Sequence, residues 1–90
     1  MDDEKVVMMV AAGKAIDYLN DKPEADSEEV IRYVMKEIRK SGREARIMGV
    51  AAANRTIQYK QTLKIGDKGI MQRIMNELPS IVQEASKEID

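Results

Sequence analysis

Cysteine and histidine are both absent from this chain. Without cysteine there is no disulfide framework and no thiolate chemistry. Without histidine the commonest general base and the commonest metal ligand are missing. Phenylalanine and tryptophan are absent too, and three tyrosines are the whole aromatic content. A core must therefore come from Ile, Val, Ala and the seven methionines, whose unbranched side chains fill irregular gaps. Proline occurs only twice, so few points force a break in regular structure. No long hydrophobic run exists: the longest, Val6 to Ala12, is far short of the ~20 residues a membrane span needs. Lys5 and the acids Asp2, Asp3 and Glu4 precede that run, the wrong flank for a secretory signal. These absences predict a soluble, cytoplasmic protein, with residues 1–90 forming one helical domain.

What is present is charge, sorted by position. The formal net charge is −1, yet residues 1–31 carry nine acids and three bases, residues 32–73 eleven bases and three acids, and residues 74–90 four acids and one base. A basic middle between acidic ends is the electrostatic footprint of an anionic partner. It is equally the pattern of a bundle that neutralises itself. With 43% hydrophobic and 34% charged residues, the chain has enough apolar surface for a core and enough charge to cover it.

Apolar positions recur at helical spacing throughout. Met9, Ala12, Ile16 and Leu19, with Val6 a turn earlier, predict a helix over 3–20, stopped by Asn20-Asp21-Lys22-Pro23. Val30, Ile31, Val34, Met35 and Ile38 predict a second helix over 27–40, capped by Asp26 with Glu29 three residues on. The acids Asp21, Glu24, Asp26, Glu28 and Glu29 lack the glycine an EF-hand loop requires, so capping accounts for them better than calcium. Ser41-Gly42-Arg43-Glu44 fits a capping box for a third helix reaching Lys64, with Gly66 just beyond. Asp67 is the expected cap of a fourth, striped by Ile70, Met71, Ile74, Met75 and Leu78. Pro79 suits the first turn of a fifth, over Ile81, Val82, Ala85 and Ile89, or a kink within the fourth. The expected fold is all-α: a small compact bundle of four to five helices.

Residues 45–64, ARIMGVAAANRTIQYKQTLK, hold the most informative pattern. Ala45 followed by Gly49-Val50 resembles the turn of bacterial helix-turn-helix proteins, and Arg55-Thr56-Ile57-Gln58-Tyr59 resembles the start of their recognition helix, with a longer spacing between Gly49 and Thr56. That resemblance implies a helix-turn-helix-like unit whose second helix enters the major groove. One continuous helix with an incidental glycine is the alternative. Val30, Gly42, Gly49, Ala52, Asn54 and Ile57 also resemble the sporulation stage V protein S and Alba group of nucleic-acid-binding folds, which implies a short strand after the second helix. Independently of either, Asn54, Gln58 and Gln61 share one helical face, and such amides can bond an adenine edge bidentately. Arg55, Lys60 and Lys64 flank them, and Arg32, Lys36, Arg39 and Arg43 make a basic stripe down one face, with Lys40 and Arg46 in the same cluster. Phosphate contacts would come from these cations and base contacts from the amides. A solvated basic face or an amide row between helices would produce the same spacing.

Catalysis has little support, because Ser27, Ser41, Ser80 and Ser86 have no histidine base and no cofactor or metal motif occurs. The resulting expectation is a small nucleic-acid-binding protein, a regulator of DNA or RNA rather than an enzyme, acting through residues 32–73. The alternative is a helical interaction module that forms a homodimer, with Met71 and Met75 in the interface.

Overall fold

A computed structural model describes residues 3–89. Four helices follow in chain order: α1 (Asp3–Asp21), α2 (Ser27–Glu37), α3 (Arg43–Thr62) and α4 (Asp67–Ile89), and no strand occurs among the described residues. The all-α expectation holds, with four helices rather than five.

The ends of the helices are explained locally. After α1, the Lys22 N–H donates to the Tyr18 carbonyl and the Ala25 N–H to that of Lys22, a turn built around Pro23. Asp26 is the N-cap of α2; its carboxylate accepts the Glu29 N–H at 2.8 Å, and Glu28 and Glu29 lie in the positive first turn. The α2 helix closes at Ile38, whose N–H donates to the Val34 carbonyl. Arg39 and Lys40 therefore lie in the connection and not in the helix.

Two expected caps are not the ones used. The N-cap of α3 is Gly42, with no side-chain cap bond, so the Ser41–Glu44 box does not form; the Ser41 N–H instead closes a turn onto Ile38. In α4 the Gly66 carbonyl accepts from Ile70, which places Asp67 inside the first turn and frees its carboxylate for other contacts. Pro79 lies inside α4 and is exposed. Its missing N–H therefore falls on the wet face, where solvent can reach the carbonyl it leaves unpaired.

α1 and α3 form a central pair, the most extensive helix contact in the molecule, with α2 on one side and α4 on the other. Two cores follow. Met8, Ala12 and Ile16 of α1 and Met48 and Ala52 of α3 meet Ile70, Ile74, Leu78, Ile81 and Ala85 of α4. Ala11, Ala15 and Leu19, with Ala53 and Ile57, meet Val30, Val34 and Ile38 of α2. The central helices are thus apolar on two sides, which requires small residues where they touch each other. Gly49 shows how tightly they pack: a Cβ there would lie 2.8 Å from Ile38 Cδ1 and 3.2 Å from Val7 Cγ1.

That close approach overturns both family resemblances. Gly49 is buried mid-way along an unbroken α3; it admits a neighbouring helix and makes no turn, so the helix-turn-helix-like unit expected at Ala45 to Tyr59 is absent. The strand implied by the Alba-like resemblance is likewise replaced by helix. Smaller shifts accompany these. Met8 occupies the core position expected of Met9, which is only half-buried, and Val6 is exposed.

Candidate functional site

The basic middle divides into cations tied inside the molecule and cations left facing water. Four of its eleven bases are ion-paired. Arg55 reaches Glu77 at 3.0 Å and Glu84 at 2.7 Å, Lys60 reaches Asp67 at 2.6 Å, Arg73 pairs with Glu77 at 3.5 Å and Arg32 with Glu28 at 2.9 Å. The other seven, Lys36, Arg39, Lys40, Arg43, Arg46, Lys64 and Lys68, have no ion-pair partner among the described residues.

Arg55 and Lys60 turn toward α4. Arg55 is 18% exposed on its side chain, Glu77 26%. The Tyr59 hydroxyl also donates to Glu77, at 2.5 Å. Burial alone disfavours the Glu77 carboxylate, but hydrogen bonds from Tyr59 and Arg55 outweigh it and hold Glu77 below its usual range. Burial likewise opposes the Arg55 charge, and the bonds to Glu77 and Glu84 more than compensate. Burial first, then the bond to Glu77, raises the Tyr59 phenol. Asp67 is held low first by Lys60, then by the Asn20 amide, which donates to it at 2.7 Å. This cluster locks α4 onto α3. The sequence placed Arg55 and Lys60 among phosphate-binding residues; the structure gives both of them carboxylate partners within the fold.

Five of the unpaired cations, Lys36, Arg39, Lys40, Arg43 and Arg46, fall within eleven residues at the corner where α2 ends and α3 begins. All but Arg46 are exposed. Arg39 and Lys40 line one shallow depression with Tyr33, Lys36 and Glu37, and the Glu37 charge is offset by Lys14 at 3.3 Å. Arg43 and Arg46 line a neighbouring groove with Met35, Ile47 and Val50. That groove continues along α3 through Ile47 and Val50 to a depression holding Asn54, Arg55, Gln58 and Glu84. Asn54, Gln58 and Gln61 are exposed, so the amide row faces water and is not an interface between helices of this chain. Arg43 and Asn54 are eleven residues apart on one helix, about 16 Å along its axis. Lys64, exposed beyond the end of α3, is separated from both.

Sequence reasoning did not single out the tyrosines. Tyr18 and Tyr33 meet with ring centroids 4.9 Å apart at 47°, in a groove between α1 and α2 that also holds Asp17, Asp21, Lys22, Glu29, Arg32, Met35 and Lys36. Two tyrosines fifteen residues apart in sequence carry no spacing signal; only the α1–α2 packing brings them together. Among the described residues no group of three carboxylates gathers to hold a metal ion, and no helix is long and apolar enough to cross a membrane.

Fold and site thus define a four-helix, all-α protein with a cationic corner. Compared with family models, curated proteins and solved structures, the chain matches none of them.

Proposed function

We propose that this protein binds nucleic acid through the corner between α2 and α3. Arg39, Lys40 and Arg43, joined by Lys36 and Arg46, hold phosphates, and Asn54 and Gln58 lie further along α3 as base-edge contacts. The observation that carries this reading is the partition of the cations: those facing α4 are neutralised within the fold, whereas five at one corner are not. Unpaired surface charge of one sign, gathered on one side, attracts a polyanion and steers its approach. The test is a titration with random duplex and single-stranded oligonucleotides at two salt concentrations, repeated on the Arg39→Glu/Lys40→Glu/Arg43→Glu triple variant. Measurable binding that the triple variant loses is the expected result. Unmeasurable binding of both oligonucleotides at ~50 mM salt overturns the reading.

A second reading draws on a separate observation. Met35 is 43% exposed and continues into Ile47 and Val50, an apolar row that a second copy of this chain would cover, with its acidic first segment against Arg43 and Arg46. Sedimentation that finds dimers, dispersed by Arg43→Glu, in a protein with no nucleic-acid affinity would favour it.

A further inference from the structure

The three tyrosines of this chain are not in equivalent positions. Tyr59 donates its hydroxyl to Glu77, with the Arg73 guanidinium 5.3 Å from its ring centroid. Tyr18 donates to Glu29 and carries the Lys22 ammonium 5.2 Å from its ring centroid. Tyr33 has neither arrangement among the described residues: no hydrogen bond from its hydroxyl and no cation over its ring. It is half-buried, braced by the Tyr18 ring, and it lines open depressions on both of its sides.

Those two sides differ in charge. Toward α1 the depression holds Asp17, Asp21 and Glu29, whose charges are balanced by Lys22, Arg32 and Lys36, so that side has no net attraction for phosphate. Toward the end of α2 it holds Lys36, Arg39 and Lys40, with Glu37 already tied to Lys14. On α2, Tyr33, Lys36 and Glu37 follow spacings of three and four and so share one face, and Arg39 and Lys40 follow in the connection just beyond its end, lining the same depression. A braced aromatic ring at the head of a row of unpaired cations is the arrangement that holds a base by its π-face and its backbone by charge. Bases inside a duplex are stacked on their neighbours and offer no such face, whereas those of a single strand do.

We infer that the nucleic acid this protein selects is single-stranded, with one base stacked on Tyr33 and the adjoining phosphates held by Lys36, Arg39 and Lys40. The inference rests on the nucleic-acid reading above and adds the form of the ligand.

The test compares a labelled single-stranded oligonucleotide of mixed sequence with the matching duplex, at one salt concentration. Single-strand affinity is expected to exceed duplex affinity, and Tyr33→Leu to cut single-strand affinity about 5- to 100-fold, narrowing the ratio between the two forms. Because Tyr33→Leu also removes the contact with Tyr18, Tyr33→Trp supplies a second measurement. The chain has no tryptophan of its own, so the emission of this variant reports on position 33 alone. Quenching that saturates with added single strand, and is absent with duplex, supports stacking. Unchanged emission at saturation, or duplex binding as tight as single-strand binding, overturns the inference while leaving the corner as a general polyanion site. Absence of binding to either form overturns the nucleic-acid reading itself.

Discussion

Single residues decide how closely the central helices approach. Gly49 and Gly13 both lie inside helices with no positive φ, and the two respond oppositely to substitution. At Gly13 the nearest atom to an added Cβ is Met71 Cε at 3.9 Å, so Gly13→Ala gains helix propensity without a clash. Stabilisation of about 0.5–1 kcal/mol is expected in denaturant unfolding. At Gly49 an added branch meets Ile38 and Val7 inside a packed interface, and Gly49→Val is expected to cost about 2 kcal/mol or more. Glu77 sets a pH dependence. Its folded value, like that of Asp67, lies below the ordinary one of 4.5 or 3.8. A depressed carboxylate stabilises the fold above its unfolded value and loses that contribution as pH falls through the folded one. Thermal stability should therefore be level near neutrality and drop progressively below about pH 4.5. Glu77→Gln should remove about 1 kcal/mol at pH 7 and make the acid limb shallower, which melting curves from pH 7 to pH 2 would register.

At the scale of elements, α3 has two kinds of cation on one helix. Arg43 and Arg46 at its start have no carboxylate opposite them, whereas Arg55 and Lys60 are covered by α4. Charge reversal separates the two. Arg55→Glu would set a third carboxylate against Glu77 and Glu84 in a half-buried position, so a loss of about 2–4 kcal/mol in stability is expected. Arg39→Glu and Arg43→Glu face water and should leave unfolding within about 0.5 kcal/mol while weakening oligonucleotide binding. If Arg55→Glu left stability intact and abolished binding, the division of roles along α3 would be reversed.

For the whole molecule, a formal charge of −1 is compatible with polyanion binding only because the charges are spatially segregated. The Cα radius of gyration is 12.0 Å and the longest dimension 33 Å, whereas the Debye length is about 8 Å at physiological salt. Charges more than a Debye length from a bound phosphate therefore contribute little at that salt, and the cations in direct reach of it dominate. If all five corner cations contact phosphates, log affinity for a single strand should fall by roughly 3.5 per unit of log salt. A plot of log affinity against log salt with a slope near zero would exclude a phosphate-driven contact.

Helical class, the positions of the four helices and the existence of a basic middle were legible in the residues themselves. Apolar spacing of three and four records which face each helix buries, and charge is read directly. Helix ends were legible at Asp26, where one side chain meets a backbone N–H three residues away, but not at Ser41 or Asp67, where the connecting turns chose the cap. The meaning of Gly49 was not legible, because a glycine that opens a turn and one that admits a neighbouring helix look alike along the chain. Nor was the fate of the charged side chains. Arg55 and Lys60 share the sequence neighbourhood of Asn54, Gln58 and Gln61, and only the docking of α4 turned the first two inward and left the amides in water. Periodicity is a property of one segment, and so the chain alone determined it. Which charge meets which, and which ring stands half-buried beside unpaired cations, depends on distances between segments far apart in sequence, and tertiary packing decided it.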